Sequence, residues 1–286
     1  MSDGQRRAAI VGSPVAHSLS PVLHSAGYRE LGLTDWEFGR IDAGADELPP
    51  LVAGLGPEWV GLAVTMPDKR AALALADERT ERAVAVGAAN TLVALGGGAW
   101  RADCTDVGGV TGALTAAGGY RPAPDATGLV LGAGGTAAAA LAGLAELGVT
   151  DVTLVVREPA RATEALATAE RVGVTVRVCR WADTDLRSLA SGCAVAVSTV
   201  PASAADPHAD ELAEAGCLLD VIYHPWPTPL AEAVTRRGGR LATGLDMLLH
   251  QAFGQVEQFT GKPAPRAAMR DALRAATGGT LPLPID

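Results

Sequence analysis

Short apolar runs punctuate the whole chain, and the stretches between them space their apolar residues as helices do. Residues 8–11 read as a first strand, and a helix is expected from Ser20 to about Glu30, with Ser20 as N-cap and Pro21 in its first turn. A second strand is expected over 36–41, a helix over 46–55 and a third strand over 59–65. Pro67 stops that strand's ladder, and Lys69 sits just beyond it, ahead of a helix over 70–76. Residues 87–95 and 99–103 flank three glycines and read as an antiparallel hairpin. A helix then runs from Val107 to about Ala117.

From there the rhythm is regular. Apolar runs at 129–131, 152–156, 174–178, 194–197 and 217–221 alternate with helix-like stretches, which implies a parallel, doubly wound sheet. Thr199 and Val221 lie at the carboxyl ends of two of these strands, where open α/β sheets bind ligands, and a final helical region opens at Gly244.

The first of these runs ends in Gly132-Ala133-Gly134-Gly135-Thr136-Ala137, followed by an alanine- and leucine-rich stretch, Gly148 as a C-cap and the strand 152–156. That is a βαβ unit opening with G-x-G-x-x-A. The first glycine permits the tight turn, the second admits a diphosphate to the backbone, and the small third residue lets helix and strand pack closely. Free N–H groups of the helix then face the phosphates. Arg157 and Arg161 follow the second strand, where positive charge suits an adenosine 2′-phosphate and hence NADP rather than NAD. Glu158 works against that choice, since a carboxylate there can bind a free 2′-hydroxyl.

Bulk properties narrow the class. The chain has 286 residues, enough for two ordinary domains, and at 48% hydrophobic it can bury a substantial core. A net charge of -9 argues against nucleic-acid or anionic-membrane partners. No apolar run approaches the about 20 residues of a membrane span. Cys104, Cys179, Cys193 and Cys217 form no C-x-x-C pair and read as free thiols of a cytoplasmic protein. No metal site is expected. Ser18 and Ser20 are either helix caps or hydroxyls that face a polyhydroxy or carboxylate ligand, and His17 and His24 are taken as structural.

Several segments together resemble the shikimate dehydrogenase family: 12–24, 61–69, 87–92, Thr105-Asp106, 132–137, 220–230 and 244–261. The stretch 250–261 is similar to the actinobacterial branch. The resemblance implies an α/β protein of two domains: a substrate domain over 1–106, completed by helices over 244–286, and a Rossmann-like NADP domain over 107–243. It implies NADPH-dependent reduction of 3-dehydroshikimate to shikimate. By motif position Lys69 and Asp106 match the catalytic pair, and Ser18, Ser20, Thr65, Asn90, Tyr223 and Gln251 match substrate contacts. Gly132 to Ala137, Arg157, Arg161, Thr199, Val221 and Gly244 fall to the cofactor. The chain departs from the family pattern at Ala63, where Asn is frequent, at Cys104, where Asn is usual, and at Val156 and Glu158 around Arg157.

The chemistry suits these residues. Reducing a ketone needs a hydride and a proton, and Lys69 can donate the proton while Asp106 orients it. Crossings near 106 and 244 predict closure about the ligand. Two other readings stay open: a quinate/shikimate dehydrogenase preferring NAD, and a non-catalytic NADP-binding paralogue. The expected partners are small molecules, in a monomer or homodimer.

Overall fold

The structure, a computed structural model, describes residues 4–286 and divides into two compact units. Residues 4–105 with Gln251–Ile285 make the first, and Asp106–His250 the second. The breaks fall at Thr105/Asp106 and His250/Gln251, so Asp106 and the start of the last long helix belong with the second unit rather than the first.

The first unit runs β1 (Arg6–Gly12), α1 (Ser20–Glu30), β2 (Trp36–Asp42), α2 (Leu48–Ala53), β3 (Trp59–Val64), α3 (Lys69–Leu75), β4 (Glu78–Arg79), α4 (Glu81–Val86), β5 (Thr91–Gly96) and β6 (Ala99–Asp103). Its sheet has the order β2-β1-β3-β5-β6-β4. β1 is parallel to β2 and β3, whereas β5 is antiparallel to both β3 and β6, as the three-glycine hairpin requires. Alternation along β1 sends Ala9 and Val11 into one core and Ala8 and Ile10 into the other. Two expectations shift. α1 takes Leu19 as its N-cap, so Ser20 is a helical residue. The hairpin's first strand starts at Thr91 rather than Gly87. α4 was not foreseen; Thr80 caps it by accepting from Ala83 N–H, and Gly87 closes it in the left-handed region at φ 76°.

The second unit runs α5 (Asp106–Gly112), β7 (Thr127–Leu131), α6 (Gly135–Glu146), β8 (Asp151–Val156), α7 (Thr163–Arg171), β9 (Thr175–Arg180), α8 (Leu186–Gly192), β10 (Val195–Ser198), α9 (Ala202–Ala205), α10 (Ala209–Leu212), β11 (Leu218–Asp220), α11 (Pro229–Arg236) and β12 (Leu241–Thr243), and α12 (Gly244–Thr260) begins in it. α5 passes into a wider π turn at Ala113–Ala117 in place of the single helix expected. All strands are parallel, in the order β12-β11-β10-β7-β8-β9. Counting from β7, the chain winds outward through β8 and β9, then restarts at β10 on β7's other side. The strand order therefore reverses between β7 and β10, and a doubly wound sheet takes its ligand at that switch point. Both faces are covered: Val130 packs into one core, Leu129 and Leu131 into the other. On α6 Leu141 and Leu144 are fully buried, each worth about 1.5–3 kcal/mol of apolar transfer.

The end of α12 and α13 (Arg266–Ala276) complete the first unit. Phe259 lies where any β-carbon at Gly61 of β3 would overlap its ring, so the glycine lets this helix lie flat on the sheet.

Candidate active site

In the first unit Thr65 and Asn90 are tied to the ends of β1 and β3, Asn90 through its carbonyl, which accepts from Val64 N–H at 2.7 Å. Thr65 N–H bonds the Val11 carbonyl at 2.8 Å. The Thr65 methyl then occupies the space that a side chain at Gly12 would need, so only glycine fits there. Lys69, half-buried, is the first residue of α3, and its carbonyl accepts from Ala89 N–H at 2.8 Å, next to Asn90. The Ser18 hydroxyl accepts from Ser20 N–H at 3.3 Å and keeps its own proton to donate, while α1 has no side-chain bond from its N-cap.

Asn90 is 3% exposed, and its amide is held on every side. It donates to Thr105 Oγ1 at 3.0 Å and to Gln251 Oε1 at 3.2 Å. It accepts from Thr105 N–H at 2.7 Å and from the Thr91 hydroxyl at 2.9 Å. One helical turn beyond Gln251, Gln255 donates to the Asn90 carbonyl at 3.0 Å and to Thr91 Oγ1 at 3.2 Å. Its own carbonyl lies 3.2 Å from His24 Nε2. His24 is fully buried, stacks on Phe38 with 3.9 Å between ring centres, and is pushed by burial down to about 3. It is a neutral structural residue, as taken from the sequence. Thr91, Thr105, Gln255 and His24 were absent from the expected site, although each lies in a segment that resembles the family.

Asp68 was also missed. It precedes Lys69 at the N-cap of α3, yet its side chain makes no cap bond and turns inward. Both oxygens are buried with no hydrogen-bond partner among the described residues. Burial pushes its carboxyl up, and Glu47 and Asp42 add to the shift. Ala63 and Cys104, two of the departures, are 1% exposed, and Ala63 packs in the apolar cluster of Ala8, Ile10 and Phe259.

In the second unit the glycine turn sits at the switch point. Gly132 has φ +100°, and a β-carbon there would meet Thr199 Oγ1 at 2.7 Å. Thr199 binds the Leu131 carbonyl through both its N–H (3.0 Å) and its hydroxyl (2.7 Å), which ties the ends of β7 and β10 together. β-carbons added at Gly134 or Gly135 would meet nothing within 4 Å. α6 has no side-chain bond from its N-cap, Gly134 and Gly135 are exposed, and Ala137 is buried against the sheet. Bare backbone, free amides and an open approach fit the diphosphate of a dinucleotide.

Arg157 and Arg161 leave β8 exposed, as does Glu158, whose carbonyl accepts from Arg161 N–H at 3.0 Å. At the end of β11, Asp220 accepts from Ile222 N–H and from the Thr228 hydroxyl, fixing the loop that carries Tyr223. Burial pushes the Tyr223 phenol up, so it stays a donor. Val221 and the Tyr223 ring both crowd Gly244, where any side chain would overlap the Val221 carbonyl. Thr243 and Asp246 cap α12 reciprocally, with Thr243 N–H to Asp246 at 2.8 Å and Asp246 N–H to Thr243 at 3.3 Å. Asp106 is 7% exposed and opens α5.

Among the described residues no group of His, Cys, Asp or Glu could hold a metal ion, and no helix is long and apolar enough to cross a membrane. Family models for a shikimate dehydrogenase substrate-binding domain and a shikimate 5′-dehydrogenase C-terminal domain match residues 10–92 and 244–274. A shikimate dehydrogenase (NADP(+)) of Methylobacterium radiotolerans is 37% identical over 98% of this chain and 100% of its own. The crystal structure of Mycobacterium tuberculosis shikimate dehydrogenase is 56% identical, covers 94% of this chain and 99% of its own, and superposes with a TM-score of 0.88. The Thermus thermophilus enzyme in complex with NADP(H) and shikimate is 31% identical over 95% of this chain and 100% of its own, with a TM-score of 0.78. On this likeness across nearly its full length, the chain belongs to the shikimate dehydrogenase family.

Proposed function

We propose that the protein catalyses the reversible, NADPH-dependent reduction of 3-dehydroshikimate to shikimate, an oxidoreductase step in aromatic biosynthesis. The observation that carries the reading is the buried network that fixes Asn90 and Gln251 beside the strand end from which Lys69 departs. A ligand with three ring oxygens and one carboxylate needs several oriented donors. The hydroxyls of Ser18, Ser20, Thr65 and Tyr223 and the amide of Gln251 are of that kind, with Asn90 fixing Gln251 through its Oε1. Tyr223, kept protonated by burial, suits a carboxylate.

The nicotinamide, when bound, supplies the hydride. Lys69 gives the proton from Nζ to the ketone oxygen and offsets the charge that develops there. Asp106, the other member of the pair implied by motif position, accepts from the substrate hydroxyl. The turn Gly132 to Ala137 holds the diphosphate through backbone N–H groups, with Thr199, Val221 and Gly244 shaping the strand ends beside it. Arg157 and Arg161 hold the 2′-phosphate. Relatives carrying NADP(+) in their names support that cofactor over NAD, and they do not favour the quinate reading. Four free cysteines support a cytoplasmic protein. The test is spectrophotometric: purified protein with shikimate and NADP should generate NADPH absorbance. No turnover with either nicotinamide cofactor overturns the reading.

A further inference from the structure

The 2′-phosphate that distinguishes NADP from NAD needs positive charge at the end of β8, and this chain places a carboxylate there, immediately after Arg157. An unopposed Glu158 would cancel part of the arginine's attraction. It would also accept a hydrogen bond from a bare 2′-hydroxyl, which favours NAD. The neighbouring strand answers it. β8 and β9 pair in parallel with Val156 opposite Arg180, so Arg180 ends β9 level with the residue before Arg157. Its Nη2 lies 3.7 Å from Glu158 Oε2. The two side chains are 50% and 53% exposed, and an open pair of that kind adds little to stability. Its effect is on the local charge: three guanidiniums, of Arg157, Arg161 and Arg180, stand against one carboxylate whose charge is already engaged.

We propose that Arg180 is a positioning residue for cofactor specificity: by pairing with Glu158 it keeps that carboxylate from repelling the 2′-phosphate and from accepting a 2′-hydroxyl. This rests on the reading of Arg157 as the phosphate's partner. Adenosine 2′,5′-bisphosphate and adenosine 5′-monophosphate probe it without turnover, since they differ only in the 2′-phosphate. Calorimetric titration of the full chain should show Arg157→Ala weakening the bisphosphate by about tenfold and leaving the monophosphate unchanged. Arg180→Ala should weaken the bisphosphate by about 5-fold, the order expected from one unit charge near the surface. In a Glu158→Gln background the same Arg180→Ala change should cost less than about 2-fold, because the carboxylate it answers is gone. The NADP to NAD ratio of kcat/KM should follow the same pattern. An Arg180→Ala protein that binds both probes like wild type, while Arg157→Ala discriminates, overturns the proposal alone. An equal loss in both backgrounds also overturns it and makes Arg180 a direct phosphate contact. If Arg157→Ala fails to discriminate, the phosphate lies elsewhere and the proposal falls with that reading.

Discussion

In the first unit the candidate ligand groups are side chains drawn from segments far apart in sequence; in the second they are mostly backbone groups of a single turn. Asn90 is held by Thr105 and Gln251, residues 15 and 161 positions away. The glycine turn is held by its own φ +100° at Gly132 and by Thr199 on the next strand. A site of side chains depends on every partner in its network, because each buried amide left unpaired costs about 1–3 kcal/mol. A site of backbone amides tolerates most substitutions nearby and fails only where a β-carbon would intrude. The first design suits discrimination among polyhydroxy rings, and the second suits a phosphate grip that many sequences can build.

Five changes would break or sharpen that contrast. The largest effect is expected at the chemistry itself: Lys69→Ala should lower kcat by about 10²–10⁴-fold and move KM much less. A change confined to KM would make Lys69 a binding residue.

Next comes the buried network. Burial holds His24 down at about 3, against the ordinary 6.5 it regains on unfolding. The unfolded chain therefore binds the extra proton between those values, and stability falls as pH drops from 6.5 toward 3. At pH 5 the loss from this one group is about 2 kcal/mol relative to pH 7. Urea denaturation at the two pH values should show a smaller difference in His24→Gln than in wild type. An unchanged difference would mean the imidazole is not the group that resists the proton.

The two designs can be separated by a pair of variants. Gly132→Ala forces a side chain into a left-handed backbone against Thr199 and should weaken NADP binding about tenfold, leaving shikimate binding intact. Gln251→Ala removes the acceptor of Asn90 Nδ2 and should raise KM for shikimate by a similar factor with the NADP Kd unchanged. Crossed effects in binary titrations would put either residue in the wrong unit.

The smallest effect concerns Asp68. Its buried carboxyl has no hydrogen-bond partner among the described residues, so Asp68→Asn should gain about 1 kcal/mol at neutral pH, and the gain should shrink on acidification as the wild-type carboxyl protonates. A loss of stability would show that the carboxylate is used.

Much of the second unit was legible because its signals are local. The run Leu129 to Leu131, the glycines after it and the strand ending at Val156 lie in one stretch, and each element formed within a residue or two of expectation. The first unit was legible as elements but not as a network. Nothing near Thr91 in sequence announces that Gln255 will reach it, since the contact exists only once α12 lies on the sheet. Nothing in the turn around Asp68 announces its inward side chain, which is a tertiary outcome. Glu158 read as a conflict with NADP because its partner, Arg180, lies on the next strand and pairs only through sheet register.

The interrupted first unit also has a consequence for the order of events on the ribosome. Chains emerge from the N-terminus, and domains fold as units when their residues are available. Residues 4–105 leave first, yet the helix face that carries Gln251, Gln255 and Phe259 is made last. Until then His24, Asn90 and Thr91 lack their glutamine partners and Gly61 lies uncovered. The unit over 106–250 is contiguous and can close before the rest of the chain is translated. The segment synthesised earliest is thus the one whose folding finishes latest, and a nascent chain halted before 251 would expose a glycine-lined sheet to the chaperones of the cell.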